Sequence, residues 1–370
     1  MTFGLRNAAQ TFQRFIDEAL KDFDFCYDYI DDILVYSSSE TQHRQHLSQI
    51  FKRLSDYGVL INVNKCVFGQ PEVTFLGCTV SADGIRPLDT KVQAIQDFPV
   101  PKTAKELRRF LGMMNFCRRF IPNAASIQAP LNSLLAGPKV KSSHPIDWTP
   151  ELQHAFTDCK TSIAKATLLA HPDSTAELAI QTDASDVAIG AVLQQRKGDN
   201  WQPLSFFSKK LNNAQRKYSP YDRELLSIYE AIRHFRYLVE ARIFSVYTDH
   251  KPIFAFSTRR DKCSPRQFRY LDYIGQFTTE VRTLDTYPAK KMSSPTHSHE
   301  LKRSLCQAHS ITNPLLVTRR LIPNCRTYYR IALACDFDGY RWAAPMSTAI
   351  LQKATTGRTS HQHTDDKFFI

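Results

Sequence analysis

The stretch CYDYIDDILVYSSS, residues 26–39, sets two adjacent aspartates inside a run that otherwise predicts a β-hairpin. Like charges about 4 Å apart repel each other, and aspartate is depleted from strands. One interpretation of Asp31 and Asp32 is a polar turn between two strands, because aspartate suits turns. The other is a pair of carboxylates at a hairpin tip that binds a divalent metal. The rest of the chain decides between the two.

The bulk composition indicates a globular chain with a polyanionic partner. A length of 370 residues predicts two or three domains, and 42% hydrophobic residues are enough to build a core. The formal net charge of +12 and a sequence pI near 9.2 favour nucleic acid as that partner. A basic surface without a specific partner is the alternative.

Targeting signals and cysteine usage indicate where the protein resides. The sequence has no recognisable signal peptide and no apolar run long enough to span a bilayer, so no membrane partner is expected. Its nine cysteines are scattered, without a CxxC pair or zinc spacing, which is typical of a reduced compartment. We therefore expect an intracellular protein, cytoplasmic or nuclear. The sequence leaves its oligomeric state open.

Apolar periodicity predicts helices around the hairpin and further along the chain. One helix is predicted from about Ala8, and a second, within residues 43–62, ends before Gly58. Residues 103–106 form a capping box in front of another apolar helix. The stretch AGPKVKSSHP, residues 136–145, is predicted to be a loop or linker.

A second acidic set lies far downstream. Asp183 sits in the β-pattern ELAIQTDAS, Glu224 follows a helix start at Ser219, and Asp249 closes the strand RIFSVYTDHKP. Taken alone, each has an ordinary structural explanation, because aspartate is common in turns and glutamate is favourable in the first turn of a helix. The order strand, helix, strand end is more informative, since adjacent strands and a helix packed on them bring such residues together.

A cluster of these three carboxylates requires cations. Buried carboxylates without a counter-charge protonate instead of staying ionised. Two Mg²⁺ ions about 3.5–4 Å apart, held by carboxylates, are a standard arrangement for phosphodiester chemistry. The pattern therefore makes Asp183, Glu224 and Asp249 candidate catalytic and metal-binding residues.

The motifs together resemble the Pol polyprotein of a gypsy-type LTR retrotransposon. MTFGLRNAAQTFQRFID resembles the reverse transcriptase helix that meets the incoming nucleotide, and YIDD resembles the polymerase metal-binding hairpin. KTAKELRRFLGMMNFCRRFIP resembles the thumb, while TDAS, YDREL and TDHKP resemble the RNase H domain. The likeness runs in the family's order from residue 1 to about residue 282. It favours metal binding over a plain turn for Asp31 and Asp32.

The resemblance implies an α+β protein with a defined series of domains. We expect a partial reverse transcriptase palm over residues 1–80 and a helical thumb and connector over residues 81–165. An RNase H-like α/β domain is expected over residues 166–282. The segment 283–370 holds 12 Lys and Arg against 6 Asp and Glu and lacks periodicity, so an irregular basic tail is expected there.

Two departures from the family affect the expected activity. The family places another metal-binding aspartate on a palm strand, with the fingers before it, and residue 1 lies after both. Asp31 and Asp32 are therefore expected to lack their partner. The family also closes the RNase H domain with a stretch like NVVADALSR, whose aspartate completes the metal site, and no such stretch is readable here.

The genetic code offers an explanation for the second departure. When the third base of each codon for Lys291–Glu300 is joined to the next two bases, NVVADALSR or NVVANALSR can be encoded. Chance is the alternative, because third bases are free. However, Asn or Asp falls at the right place without any choice of base, and Leu or Phe and Arg each need only one choice of codon. We therefore expect a change of reading frame near residue 283.

The expected function follows from the resemblance and these departures. The chain is interpreted as a retrotransposon-derived RNA-directed DNA polymerase and RNase H that acts on RNA–DNA hybrid or duplex, with Mg²⁺, or alternatively Mn²⁺, as cofactor. Polymerase activity is expected to be absent and RNase H activity to be impaired. The alternative is a non-catalytic remnant that binds nucleic acid through its basic surface.

Overall fold

The computed structural model describes residues 6–136, 140–249, 263–278 and 280–283, and the backbone of residues 327–332. Contacts divide the chain into two compact units. The first contains residues 1–85 and 315–370, and the second contains residues 86–314. Both combine helices with strands, which confirms the α+β class predicted from the sequence.

The first unit holds two helices and a series of short strands. Its elements are α1 (Ala8–Leu20), β1 (Cys26–Tyr29), β2 (Asp32–Ser37), α2 (Glu40–Asp56), β3 (Val67–Gln70), β4 (Glu72–Phe75) and β5 (Cys78–Ser81), and β6 (Gly84–Pro87) follows at its boundary. Strands β4, β5 and β6 form a three-stranded sheet. The hairpin and both flanking helices lie where the sequence predicted them.

Strand β2 is covered on both faces, which explains its continuous apolar sequence. Ile33 and Val35 belong to the core formed with α1 and α2. Leu34 and Tyr36 point the other way and belong to a core with residues of β4 and β5. Because side chains alternate along a strand, only a run of apolar residues fills both cores. This burial fixes the position of the aspartates at the start of β2.

A strand from the C-terminal segment completes the main sheet of this unit. β12 (Thr327–Ala332) lies antiparallel between β2 and β3, and the sheet order is β1-β2-β12-β3. These six residues form a strand within the segment that is expected to be an irregular basic tail. The other residues in the range 284–370 lie outside the described residues. They include residues 291–300, whose codons are the basis for the expected change of reading frame.

The second unit begins with helices and continues into a mixed sheet. Its helices are α3 (Asp89–Gln96), α4 (Ala104–Phe116), α5 (Ala124–Ser133), α6 (Pro150–Ala164), α7 (Pro220–Val239) and α8 (Pro265–Gly275). Its strands are β7 (Leu178–Ala184), β8 (Ala188–Lys197), β9 (Asn200–Lys210), β10 (Phe244–Thr248) and β11 (Val281–Thr283). As predicted, α4 is capped by Thr103, whose Oγ1 accepts a hydrogen bond from the backbone N–H of Glu106.

The five strands follow the order β11-β10-β7-β8-β9. β7, β8 and β9 are antiparallel neighbours, whereas β10 is parallel to β7 and β11 is parallel to β10. Helix α7 lies on this sheet and buries Leu225, Ile228 and Ile232 in its core. The parallel pairing brings the C-terminal ends of β7 and β10 to the same edge of the sheet.

The predicted domain bounds remain predictions, because the compact units group residues by contact and not by family. The second unit contains residues 86–165 of the segment interpreted as thumb and connector, which is residues 81–165. It also contains the whole of the segment 166–282. None of the helices in the described part of the chain is long and apolar enough to cross a membrane.

Candidate metal centre

The tip of the β1–β2 hairpin carries the paired aspartates. Tyr29 pairs with Asp32, so Ile30 and Asp31 form the turn. Ile30 has φ of 52°, a left-handed conformation that tight hairpin turns require and that is strained for a β-branched residue. Asp31 is exposed and Asp32 is half-buried. The structure therefore presents both carboxylates at the end of a hairpin, as predicted.

Gln13 of α1 holds this turn in place. Its Nε2 donates a hydrogen bond to Asp28 Oδ2 at 2.8 Å, and its Oε1 accepts one from the backbone N–H of Ile30 at 2.6 Å. The amide side chain thus bonds both to the turn and to the strand before it. No sequence pattern indicates this role, because Gln13 is one polar residue among several on a helix.

The downstream carboxylates occupy three elements of the second unit. Asp183 lies near the end of β7 and is half-buried. Glu224 lies in the first turns of α7, which Ser219 caps through a hydrogen bond from the backbone N–H of Asp222 at 3.1 Å. Asp249 follows the last residue of β10 and is exposed.

These three side chains meet at one point. Asp183, Glu224 and Asp249 each offer a carboxylate oxygen, and the three oxygens lie within 4.8 Å of one another. Within the described ranges, no other set of three or more His, Cys, Asp or Glu side chains meets this criterion. The topology explains the convergence, since parallel β7 and β10 end at one edge and α7 begins there.

Glu224 is the buried member of the cluster, with 4% of its surface exposed. Burial, followed by the carboxylates of Asp249 and Asp183, raises the pKa of Glu224 to about 8. Two hydrogen-bond donors act in the opposite direction. The Thr248 hydroxyl donates to Glu224 Oε2 at 3.1 Å, and the backbone N–H of Ala184 also donates to this carboxylate.

The donor set fits a hard divalent cation. Carboxylate oxygens are the ligands that Mg²⁺ and Mn²⁺ prefer. A cation among the three groups would remove the mutual repulsion that raises the pKa of Glu224. By contrast, Asp31 and Asp32 are not joined by a third such ligand among the described residues.

Sequence reasoning missed the hydroxyls that surround Glu224. Thr248 was not considered as a partner of Glu224. Ser227 was not considered, although its Oγ lies 3.3 Å from both the Asp183 and the Gly190 carbonyl oxygens. No pattern in the sequence distinguishes these hydroxyls from other small polar residues, because their partners lie on other elements.

Comparison with protein families defines the class of protein. Residues 1–80 match the family model described as reverse transcriptase (RNA-dependent DNA polymerase). Residues 148–246 match the model described as RNase H-like domain found in reverse transcriptase. The chain therefore combines a reverse transcriptase segment with an RNase H-like domain. The first model covers Asp31 and Asp32, and the second covers Asp183 and Glu224 and ends before Asp249.

Related proteins narrow the class to retrotransposons. The chain is 34% identical over 289 residues to the transposon Tf2-3 polyprotein of Schizosaccharomyces pombe, covering 76% of this chain and 21% of that protein. It is 39% identical over 257 residues to the retrovirus-related Pol polyprotein from transposon 297 of Drosophila melanogaster, covering 68% and 23%. The chain is similar to the Pol polyproteins of gypsy-type LTR retrotransposons, as the motifs indicated. It spans about a fifth of the length of these curated relatives.

Solved structures share the fold. The foamy viral protease-reverse transcriptase in complex with dsDNA matches with a TM-score of 0.65 and 23% identity, over 80% of this chain and 60% of that chain. The same viral protein in complex with an RNA/DNA hybrid matches with a TM-score of 0.64 and 21% identity, over 85% and 41%. At these identities the match establishes the architecture.

Proposed function

We propose that this chain acts as an RNase H-type nuclease that cuts the RNA strand of an RNA–DNA hybrid. The observation that carries the proposal is the convergence of Asp183, Glu224 and Asp249, whose oxygens lie within 4.8 Å of one another. The cluster is built on elements of an RNase H-like sheet and helix. A merely structural role does not require three carboxylates at one point, because their repulsion destabilises the fold.

The three carboxylates would hold Mg²⁺, with Mn²⁺ as the alternative. When bound, the metal supplies an activated water and neutralises charge on the phosphodiester. Asp249 is exposed and Asp183 is half-buried, so both carboxylates are accessible from solvent, whereas Glu224 is buried in the protein.

Charge supports nucleic acid as the substrate. The net charge of +12 attracts a polyanion, and phosphate contacts dominate the affinity of such complexes. The similar viral structures are complexes with dsDNA and with an RNA/DNA hybrid. We assign the hybrid to this chain because its candidate metal centre belongs to the RNase H-like part.

Asp31 and Asp32 are assigned to metal binding in the reverse transcriptase part. Their place at a hairpin tip, braced by Gln13, supports this assignment. Nuclease activity is the activity that the described residues support best. Among those residues, three carboxylates converge only in the RNase H-like part.

Hybrid cleavage tests the proposal. The full chain is incubated with an end-labelled RNA–DNA hybrid and Mg²⁺ or Mn²⁺, and RNA fragments are separated on a gel. Cleavage is expected for the unaltered chain and for Asp186→Asn, which changes an exposed carboxylate three residues away. Asp183→Asn is expected to abolish it. Cleavage that persists in Asp183→Asn would refute the assignment.

The alternative function, a non-catalytic nucleic-acid-binding protein, predicts a different outcome. The hybrid would then be bound, as seen by a mobility shift, but the RNA would stay intact with either metal. The same reactions therefore distinguish an enzyme from a binding protein.

A further inference from the structure

Two buried hydroxyl groups flank the carboxylate cluster on its protein side. Thr248 has no exposed surface and Ser227 has 1% exposed. They come from different elements, since Thr248 ends β10 and Ser227 lies one turn after Glu224 on α7. Each hydroxyl contacts carbonyl or carboxylate oxygens of other elements.

Thr248 acts directly on Glu224. Its Oγ1 donates to Glu224 Oε2 at 3.1 Å, and both groups are buried. A hydrogen bond to a carboxylate is stronger than one between neutral groups and restricts the orientation of the acceptor. With one oxygen held by Thr248, the orientation of the Glu224 carboxylate toward Asp183 and Asp249 is fixed. Thr248 immediately precedes Asp249. Two adjacent residues therefore supply one carboxylate of the cluster and one hydrogen-bond donor to Glu224.

Ser227 acts on the helix that carries Glu224. Residues three apart on a helix share a face, so Ser227 and Glu224 both point toward the sheet. Ser227 Oγ lies 3.3 Å from the carbonyl oxygens of Asp183 and Gly190, which are paired across β7 and β8. This hydroxyl therefore fixes the start of α7 relative to the strand that carries Asp183.

We propose that Thr248 and Ser227 are positioning residues that hold Glu224 in the geometry required to bind a divalent cation with Asp183 and Asp249. The proposal rests on the proposed function, since it assumes that the cluster is a metal site. It adds the protein groups that orient the ligands. Such outer groups typically contribute about 10- to 100-fold to metal affinity in known metal sites.

Mn²⁺ binding tests the proposal without reference to cleavage. The full chain carries Asp31→Asn and Asp32→Asn, so that the hairpin does not contribute, and free Mn²⁺ is measured by electron paramagnetic resonance. The binding that disappears on Asp183→Asn is attributed to the cluster. Thr248→Val, which keeps the side-chain shape and removes the donor, is expected to weaken this binding about tenfold.

Matched variants separate positioning from general damage. Thr248→Ser keeps the hydroxyl and is expected to restore binding to within about twofold of the parent, since the hydrogen bond is retained. Ser227→Ala is expected to fold, because alanine favours helix. It is expected to weaken binding about tenfold, because the start of the helix is no longer held by the hydroxyl. If heat denaturation shows that Thr248→Val does not fold, Ser227→Ala replaces it as the variant that tests the positioning role.

The outcomes distinguish this inference from the proposed function. If Asp183→Asn abolishes binding but Thr248→Val and Ser227→Ala bind like the parent, the positioning role is refuted and the metal site stands. If the parent shows no binding that depends on Asp183, the proposed function and the inference both fail.

Discussion

Glu224 destabilises the metal-free fold at neutral and alkaline pH. Burial and two neighbouring carboxylates raise its pKa from the usual 4.5 to about 8. Between these values the folded chain holds a proton that the unfolded chain has released. Stability conferred by a raised pKa is complete below the unfolded value and is lost as pH rises through the folded value. The cluster therefore costs stability in the pH range in which it would work.

The variant Glu224→Gln tests this cost. It keeps the size of the side chain and cannot ionise, so it should be more stable than the unaltered chain in metal-free buffer. The difference in unfolding free energy should grow by about 1.4 kcal/mol for each pH unit between 4.5 and 8. Chemical denaturation with EDTA present measures it.

The control for this prediction is Asp186→Asn, whose carboxylate is exposed. It should show no comparable change with pH. Equal pH dependence of the unaltered chain and Glu224→Gln would show that Glu224 ionises normally. Added Mg²⁺ should stabilise the unaltered chain more than Glu224→Gln, since a ligand of the folded state stabilises it by mass action.

At the scale of elements, sequence patterns predicted the helices and strands that are specified by residues close together in the chain. The hairpin follows from the apolar run of β2, and α7 follows from its Ser219-Pro220 start and helical spacing. The convergence of Asp183, Glu224 and Asp249 was expected from the order strand, helix, strand. Each of these inferences uses only neighbours in the sequence and the rules of strand and helix packing.

Other elements depend on partners far along the chain. β9 was not predicted, because Pro203 interrupts its pattern. In the structure β9 is an edge strand with a register shift next to Pro203, and proline is tolerated at edges and bulges. β12 pairs with β2, which lies almost 300 residues earlier in the chain, and no local signal specifies such a pairing. The Thr248–Glu224 bond joins two elements and was missed for the same reason.

Removal of β12 should loosen the sheet that carries the hairpin. A chain ending at residue 283 lacks the strand that covers one edge of β2 and one edge of β3. Unpaired edge amides exchange faster with solvent, because their hydrogen bonds are lost. Hydrogen exchange measured by mass spectrometry should therefore speed up in residues 32–37 and 67–70, while residues 188–197 of β8 stay unchanged. Unaltered exchange in β2 would mean that β12 does not form there in solution.

At the scale of the molecule, the helical segment and the RNase H-like sheet are joined by direct contacts. Arg118 Nη2 donates a hydrogen bond to the Ser208 carbonyl of β9. The backbone N–H of Thr167 donates to the Phe120 carbonyl at 3.0 Å. These bonds account for the inclusion of both segments in one compact unit.

The net charge of +12 predicts that nucleic acid binding depends strongly on salt. The affinity for an RNA–DNA hybrid, measured by fluorescence anisotropy with EDTA present to prevent cleavage, should fall linearly with salt on a log–log plot. Each neutralised phosphate contributes a slope of about −0.9 for B-DNA, so several contacts give a steep line between about 50 and 200 mM salt. Affinity that does not change over this range would argue against an electrostatic interface.

Diffraction from crystals soaked in Mn²⁺ tests the central claim most directly. The claim is that Asp183, Glu224 and Asp249 form a divalent metal centre. It predicts an anomalous peak bonded to oxygens of all three carboxylates, and loss of this peak in Asp183→Asn crystals. Metal–oxygen distances of about 2.0–2.6 Å are expected for a hard cation. Crystals that show Mn²⁺ elsewhere but no peak among the three carboxylates would contradict the account.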